Sequence, residues 1–142
     1  MSRSTRADRR RGMETTTSAR LSGLGEPKTI LLTTFRRNGE GVATPVSAVW
    51  DGNRGWFRTW DAAGKTARMR RDSHVTVAPC TVRGRVTGPT VDARVRVLAG
   101  AEAADARHRL ATRFPVLHGV VVPLTHRLKG WTTVHVELTD PT

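Results

Sequence analysis

The feature that most restricts the fold is a pair of turn dipeptides, Asn38-Gly39 and Asp51-Gly52, placed either side of the alternating run GVATPVSAVW. Such dipeptides favour the positive φ angles of tight hairpins, so the segments that they separate should pair antiparallel. Lys28 to Phe35 (KTILLTTF) supplies the strand before the first turn, and RGWFRTW the strand after the second. In the middle run Val42, Thr44, Val46, Ala48 and Trp50 share one face, while Ala43, Pro45, Ser47 and Val49 share the other. Pro45 has no N–H to donate, which places this strand at an edge, at a bulge, or where the sheet opens toward a ligand.

Further along, HVTVAP, VRGRVTG and TVDARVRVL read as three more strands, and WTTVHVEL as a terminal one. Two segments change period. From Ala62 to Arg71, with Asp61 as the expected N-cap, Ala62, Thr66 and Met69 fall on one helical face, while Lys65 and Arg68 lie a turn apart on another. Ala101 to Phe114 is the stronger helix, with a stripe of Ala103, Ala106, Leu110 and Phe114 and an i, i+4 pair between Asp105 and Arg109. Its expected role is to cover an open face of the sheet. The segment after Pro115, VLHGVVVPLTHRLKG, reads equally as loop or short helix. Strands joined as hairpins, with two inserted helices, imply an antiparallel barrel rather than a parallel α/β sheet.

At 142 residues the chain forms one domain. Residues 1 to 24 are expected to be a disordered basic extension, and 25 to 142 the barrel. The first twenty residues hold six arginines against Asp8 and Glu14 and almost nothing apolar, too little to offset the entropy of ordering them. A nucleic-acid arm, a transit peptide and a start placed before a true Met13 are the other readings of this leader. The formal net charge is +12, of which +8 remains without the leader. Such a surface attracts polyanions of any kind, although 21 of the 24 cations are arginine, a bias that GC-rich coding also produces. The single cysteine, Cys80, excludes an internal disulfide and fits a reducing cytoplasm. No run approaches the roughly 18 to 20 apolar residues that span a bilayer.

Gly64-Lys65-Thr66 matches the end of a phosphate-binding P-loop, but Thr59 stands where the first glycine of that motif is required. The remainder is a strand, a short turn and a Gly-Lys pair opening a helix. Lys65 then sits in the first turn, where free N–H groups and the positive helix end attract an anion. No G-x-G-x-x-G is present, which removes a Rossmann-type dinucleotide site.

The stretches LLTTFRRNGEGVATPVSAVW, GWFRTWDAAGKTARMRRDSHVTVAPC and GRVTGP, in this order and spacing, resemble the pyridoxamine 5'-phosphate oxidase-like family, and within it the branch that uses the deazaflavin coenzyme F420. The resemblance runs from about Lys28 to Leu98 and more loosely to the terminal strand. It implies a mainly β (α+β) split barrel of the FMN-binding type, assembled as a homodimer with two cofactors at the subunit interface. Carried over by position, it places Thr44, Pro45, Val46 and Ser47 along the cofactor ring with Thr59 and Trp60 beside it. Lys65, Thr66 and Arg68 would hold the phosphate, and Pro79, Cys80 and Arg85 would add contacts, from the partner subunit in some arrangements. The implied activity is hydride transfer between reduced F420 and a small organic substrate. FMN is the alternative cofactor, and some relatives are binding proteins without activity. A flavin-type cofactor supplies the chemistry itself, which accounts for the lack of a catalytic constellation. The sequence departs from pyridoxamine phosphate oxidase proper in ending soon after the last strand, at ELTDPT, which argues against vitamin salvage.

Each residue also has a structural reading. Lys65 and Arg68 could be a solvated helix face, and Cys80 a small buried hydrophobe. Trp50, Trp56, Phe57 and Trp131 read as core or dimer-interface residues, with Trp60 the exception. His74, His108, His118, His126 and His135 lack metal-ligand spacing, so no metal is expected. The reading from another class is a nucleic-acid-binding barrel, with Arg83, Arg85, Arg94 and Arg96 as a basic sheet face. The aromatics that should alternate with them are missing there.

Overall fold

Both turns form, by different means. The computed structural model describes residues 20–60, 63–114 and 132–141. Strand β1 (Thr29–Phe35) turns into β2 (Gly41–Ser47) through a loop in which Gly39 takes φ +88 and donates its N–H to the Arg36 carbonyl. Strand β3 (Val49–Asp51) turns into β4 (Arg54–Trp60) through Gly52 and Asn53, with positive φ at Gly52 alone, as a type II′ turn requires. Helix α1 (Gly64–Arg71), β5 (His74–Pro79), β6 (Val91–Val97), helix α2 (Gly100–Arg113) and β7 (Thr133–Thr139) complete the chain order.

The strands form one antiparallel seven-stranded sheet in the order β2-β1-β5-β6-β7-β4-β3. Its two edges, β2 and β3, are consecutive in the chain and joined by Ala48 alone. The GVATPVSAVW run is therefore one expected strand that becomes two, pairing with β1 up to Ser47 and with β4 from Val49. The sheet must curl to bring its ends together. Ala48 is buried, and its N–H is held by the Lys28 carbonyl at 3.0 Å. Nearby, Trp50 donates its indole N–H to the Pro27 carbonyl at 2.8 Å. Its ring lies flat across Gly55, where a Cβ would come within 2.6 Å of it.

Alternation decides what the curl encloses. Ile30, Leu32, Phe57, Val75, Val77, Val136 and Leu138 face inward and are fully buried. Burying each such side chain contributes about 1.5–3 kcal/mol. Thr44 and Val46, paired with Leu32 and Ile30, share that inner face, while Pro45 lies outside on an edge strand, where its missing N–H costs no ladder bond. Helix α2 covers the outer face of β3, β4 and β7 through Ala106 and Leu110, while α1 packs against β1 and β6 through Thr66 and Met69.

Three expectations are corrected. VRGRVTG is not a strand: Gly84, at φ +92, closes a turn hydrogen-bonded to Thr81, and a single bridge joins Cys80 to Val86. Val82 is 79% exposed, so this run has no apolar face to bury. Helix α1 begins at Gly64 with Ala63 at its N-cap and no side-chain cap; Asp61 lies outside the described residues. The barrel also starts earlier than residue 25. A 3-10 turn at Leu21–Leu24 buries both leucines in the core and ties the Leu21 N–H to Asp140 at 2.8 Å.

Candidate functional site

Strand β4 ends at Trp60, whose carbonyl organises the passage from strand to helix. It accepts the Ala63 N–H at 3.1 Å and the Thr66 hydroxyl at 2.8 Å, which fixes the entry into α1. Thr66 is fully buried by this arrangement. One position earlier, Lys65 places its ammonium 5.2 Å from the centroid of the Trp60 ring, a cation–π contact. Arg68 lies half-buried on the same side of the helix. Its Nε donates to the Thr34 hydroxyl at 2.6 Å, and its Nη1 lies 3.0 Å from where a Cβ on Gly64 would stand. Arg71 donates to the Phe35 carbonyl at 2.5 Å, and Arg36, from the β1–β2 turn, pairs with Glu40 at 3.4 Å.

Positive charge is thus concentrated where α1 meets the end of β1. Burial, and then the neighbouring Arg68, holds the Lys65 ammonium below the ordinary lysine range. Burial, and then Arg36 and Arg71, acts the same way on Arg68. Among the described residues Glu40 is the only carboxylate within ion-pair distance of these four cations. An anion with several oxygens would remove the mutual repulsion. The N–H groups of the first helical turn would assist it.

Thr59 sits next to this cluster in the chain and faces the barrel interior with Phe57. Its hydroxyl is buried and has no hydrogen-bond partner among the described residues.

The other expected contacts do not converge on one point. Thr44 and Val46 face inward while Pro45 and Ser47 face outward, so one ligand could meet only one of these pairs by side chain. Strand β2 is a sheet edge, however, and its backbone offers polar groups on the side away from β1. Pro79 and Cys80 lie beside Ile30 and Thr29, at the opposite end of β1 from Thr34, roughly 17 Å away at about 3.3 Å per residue. Arg85 belongs to the turn that folds back over Leu31 and Pro45. Cys80 is buried, which pushes its thiol pKa up. Sequence reasoning missed Thr34, Arg36, Arg71 and the spatial role of Gly64. A hydroxyl at the third inward position of TILLTTF, after Ile30 and Leu32, was the available signal.

The basic sheet face of the nucleic-acid reading is not assembled. Arg83 and Arg85 lie in a turn, Arg94 donates to Ser73 at 3.1 Å, and Arg96 is spent on carboxylates. Arg96 grips Glu102 with two hydrogen bonds of 2.8 Å and reaches Glu137 at 2.9 Å, while Arg54 binds Glu137 from the other side. Arg54, Glu102 and Glu137, with Trp56, Leu98 and Asp105, line a cleft of about 250 Å³ beneath α2. Its charges satisfy one another, so it reads as the attachment of the helix. Trp56 and Phe57 are core residues as expected, Trp50 is half-buried, and Trp131 lies outside the described residues.

His74 pairs with Asp92 at 2.9 Å and His135 with Arg58 at 3.3 Å; His118 and His126 lie outside the described residues. Among the described residues no three potential metal ligands converge, and no helix is long and apolar enough to cross a membrane.

Known proteins share this architecture. The Vibrio cholerae heme storage protein HutZ superposes with a TM-score of 0.64 at 13% identity, over 87% of this chain and 92% of that one. A Listeria innocua protein described provisionally as a pyridoxamine 5'-phosphate oxidase gives 0.59 at 15%, over 92% and 94%. A heme binding protein of Mycobacterium smegmatis gives 0.51 at 16%, over 86% and 50%. At such identities the likeness is one of fold. No curated protein matches the sequence. The family profile of pyridoxamine 5'-phosphate oxidase matches residues 17–127, a span that holds both hairpins, the basic cluster on α1 and six of the seven strands. With the curled antiparallel sheet and its two helices, that match makes the chain a member of the pyridoxamine 5'-phosphate oxidase family.

Proposed function

We propose that the protein is a cytoplasmic oxidoreductase that binds reduced coenzyme F420, with FMN as the alternative occupant, and serves hydride transfer to or from a small organic substrate. The observation that carries this reading is the gathering of Lys65, Arg68, Arg71 and Arg36, with Glu40 the one carboxylate in ion-pair distance of them among the described residues. Either cofactor carries a phosphate that such a cluster would hold, and the bound ring would supply the hydride chemistry. Lys65 and Arg68 bind the anion, Trp60 offers an aromatic surface beside it, and the edge of β2 offers backbone donors and acceptors to a planar ring. Thr66 supports the site through the Trp60 carbonyl.

The protein works as a homodimer in this reading. The outer face of β1 and β2 carries Leu31, Ala43 and Pro45, and the turn packed beside it presents Val82 and Val86, at 79% and 45% exposure. An apolar face of this kind fits a second copy. Pro79, Cys80 and Arg85, remote from Lys65 in one chain, would then contribute across the interface.

Fluorescence titration with F420, FMN and heme, each at two salt concentrations and with Lys65→Ala in parallel, tests the proposal. Binding of F420 weakened at least about tenfold by the substitution supports it. Tight FMN binding keeps the site and changes the electron carrier. Heme binding alone, indifferent to Lys65, would move the protein toward the ligand named for its Vibrio and Mycobacterium neighbours and overturn the proposal.

A further inference from the structure

We infer that Thr34 is a positioning residue of the anion site, holding the Arg68 guanidinium beside the first turn of α1 without neutralising it. The inference rests on the anion-binding reading above and deepens it. Thr34 is 1% exposed and occupies the third inward position of β1, after Ile30 and Leu32. A hydroxyl there requires a partner, and Arg68 Nε provides it at 2.6 Å. With Nε committed, the two η nitrogens remain for a ligand, and the absence of a Cβ on Gly64 leaves them room.

The choice of acceptor is informative. Around α2 the arginines are fastened by carboxylates: Arg96 by Glu102 and Glu137, Arg54 by Glu137, and Arg109 by Asp105 at 2.8 Å. A carboxylate fixes a guanidinium and cancels its charge together. For Arg68 and Arg71 on α1 the acceptors are neutral, the Thr34 hydroxyl for Arg68 and the Phe35 carbonyl for Arg71, while Arg36 in the adjoining turn keeps Glu40. A neutral acceptor removes the rotamer freedom of a long side chain and leaves the full positive charge for something else. Binding an anion then orders less side chain, which is how preorganisation raises affinity. Burial and the like charges of Arg36 and Arg71 act on Arg68 in the same sense, because an incoming anion relieves both.

The test uses inorganic pyrophosphate by calorimetry, beside F420 and FMN by fluorescence, on wild type, Thr34→Val, Thr34→Ser, Arg68→Met and the Thr34→Val/Arg68→Met double variant. Thr34→Val should weaken pyrophosphate and the bound cofactor about tenfold, the size of one hydrogen bond to a charged group. Thr34→Ser should restore most of the affinity, and Thr34→Val should have no further effect once Arg68 is methionine. A urea midpoint within ordinary scatter of wild type shows that the valine variant is folded. Wild-type affinity in Thr34→Val, an undiminished loss in the Arg68→Met background, or failure of the wild type to bind pyrophosphate would each overturn the inference. Pyrophosphate binding with the expected pattern, but no binding of F420 or FMN, would keep the role of Thr34 and reject the cofactor reading.

Discussion

Lys65 carries two disadvantages, burial and the nearby Arg68, and both lower its pKa. They also set the sign of the pH dependence. A bound anion favours the protonated ammonium, so affinity is full while Lys65 is charged and falls as pH rises through its depressed pKa, earlier than for an ordinary lysine. Anion affinity measured against pH should decline on the alkaline side, and Lys65→Arg should hold its affinity across the same range, because a guanidinium does not titrate there. A second prediction concerns Gly55. A Cβ there would stand 2.6 and 2.7 Å from two atoms of the Trp50 ring, so Gly55→Ala must push the indole off the Pro27 carbonyl. Urea unfolding should show a loss of about 1–3 kcal/mol, the usual cost of overpacking.

Helix α2 is held by apolar contacts and by an ionic attachment that differ in their response to acid. Ala106 and Leu110 are buried whatever the pH, whereas Arg96 holds the Glu102 carboxylate below its ordinary range through hydrogen bonds and charge. A carboxylate with a depressed pKa contributes stability above its unfolded-state pKa and loses it as pH falls through the folded-state value. Unfolding monitored from neutral pH down through the carboxylate range should therefore show a shallower acid decline in Glu102→Gln than in wild type. At this scale the sequence was largely legible. Both helices, their buried stripes and the paired strands come from period and turn chemistry, and α2 was displaced by one residue at each end. VRGRVTG carries the β-favouring valines of a strand, but Val82 and Val86 stay exposed, so no buried face selects a strand over the turn at Gly84. The break at Ala48 was illegible for a different reason: the alternation of side chains continues through it unchanged, and only the pairing partner switches. In the site, Gly64, Lys65 and Arg68 could be read from a fragmentary phosphate motif, but Thr34 and Arg71 join it from positions that only the folded sheet brings near.

For the molecule as a whole, the outer faces are unequally dressed. Helix α2 shelters β3, β4 and β7, while the face of β1 and β2 is met by the short turn around Gly84. If that face is the interface between two copies, Val86→Asp with Val82→Ser should shift sedimentation from dimer to monomer with little change in the isolated fold. Loss of cofactor affinity in the same variant would show that each site draws on both chains. A protein that sediments as a monomer before substitution would remove the dimer from the proposal.

The single-residue joint at Ala48 also constrains what evolution or an engineer can insert there. A residue added after Ser47 would leave β2 in register with β1 but send Val49 and Trp50 to the wrong sides of the wall, stranding an indole outside and a gap within. Two added residues would restore the sides and lengthen the seam. Changes of length are therefore expected here in even steps or not at all, while the turns at Gly39 and Gly52 are free to vary by ones.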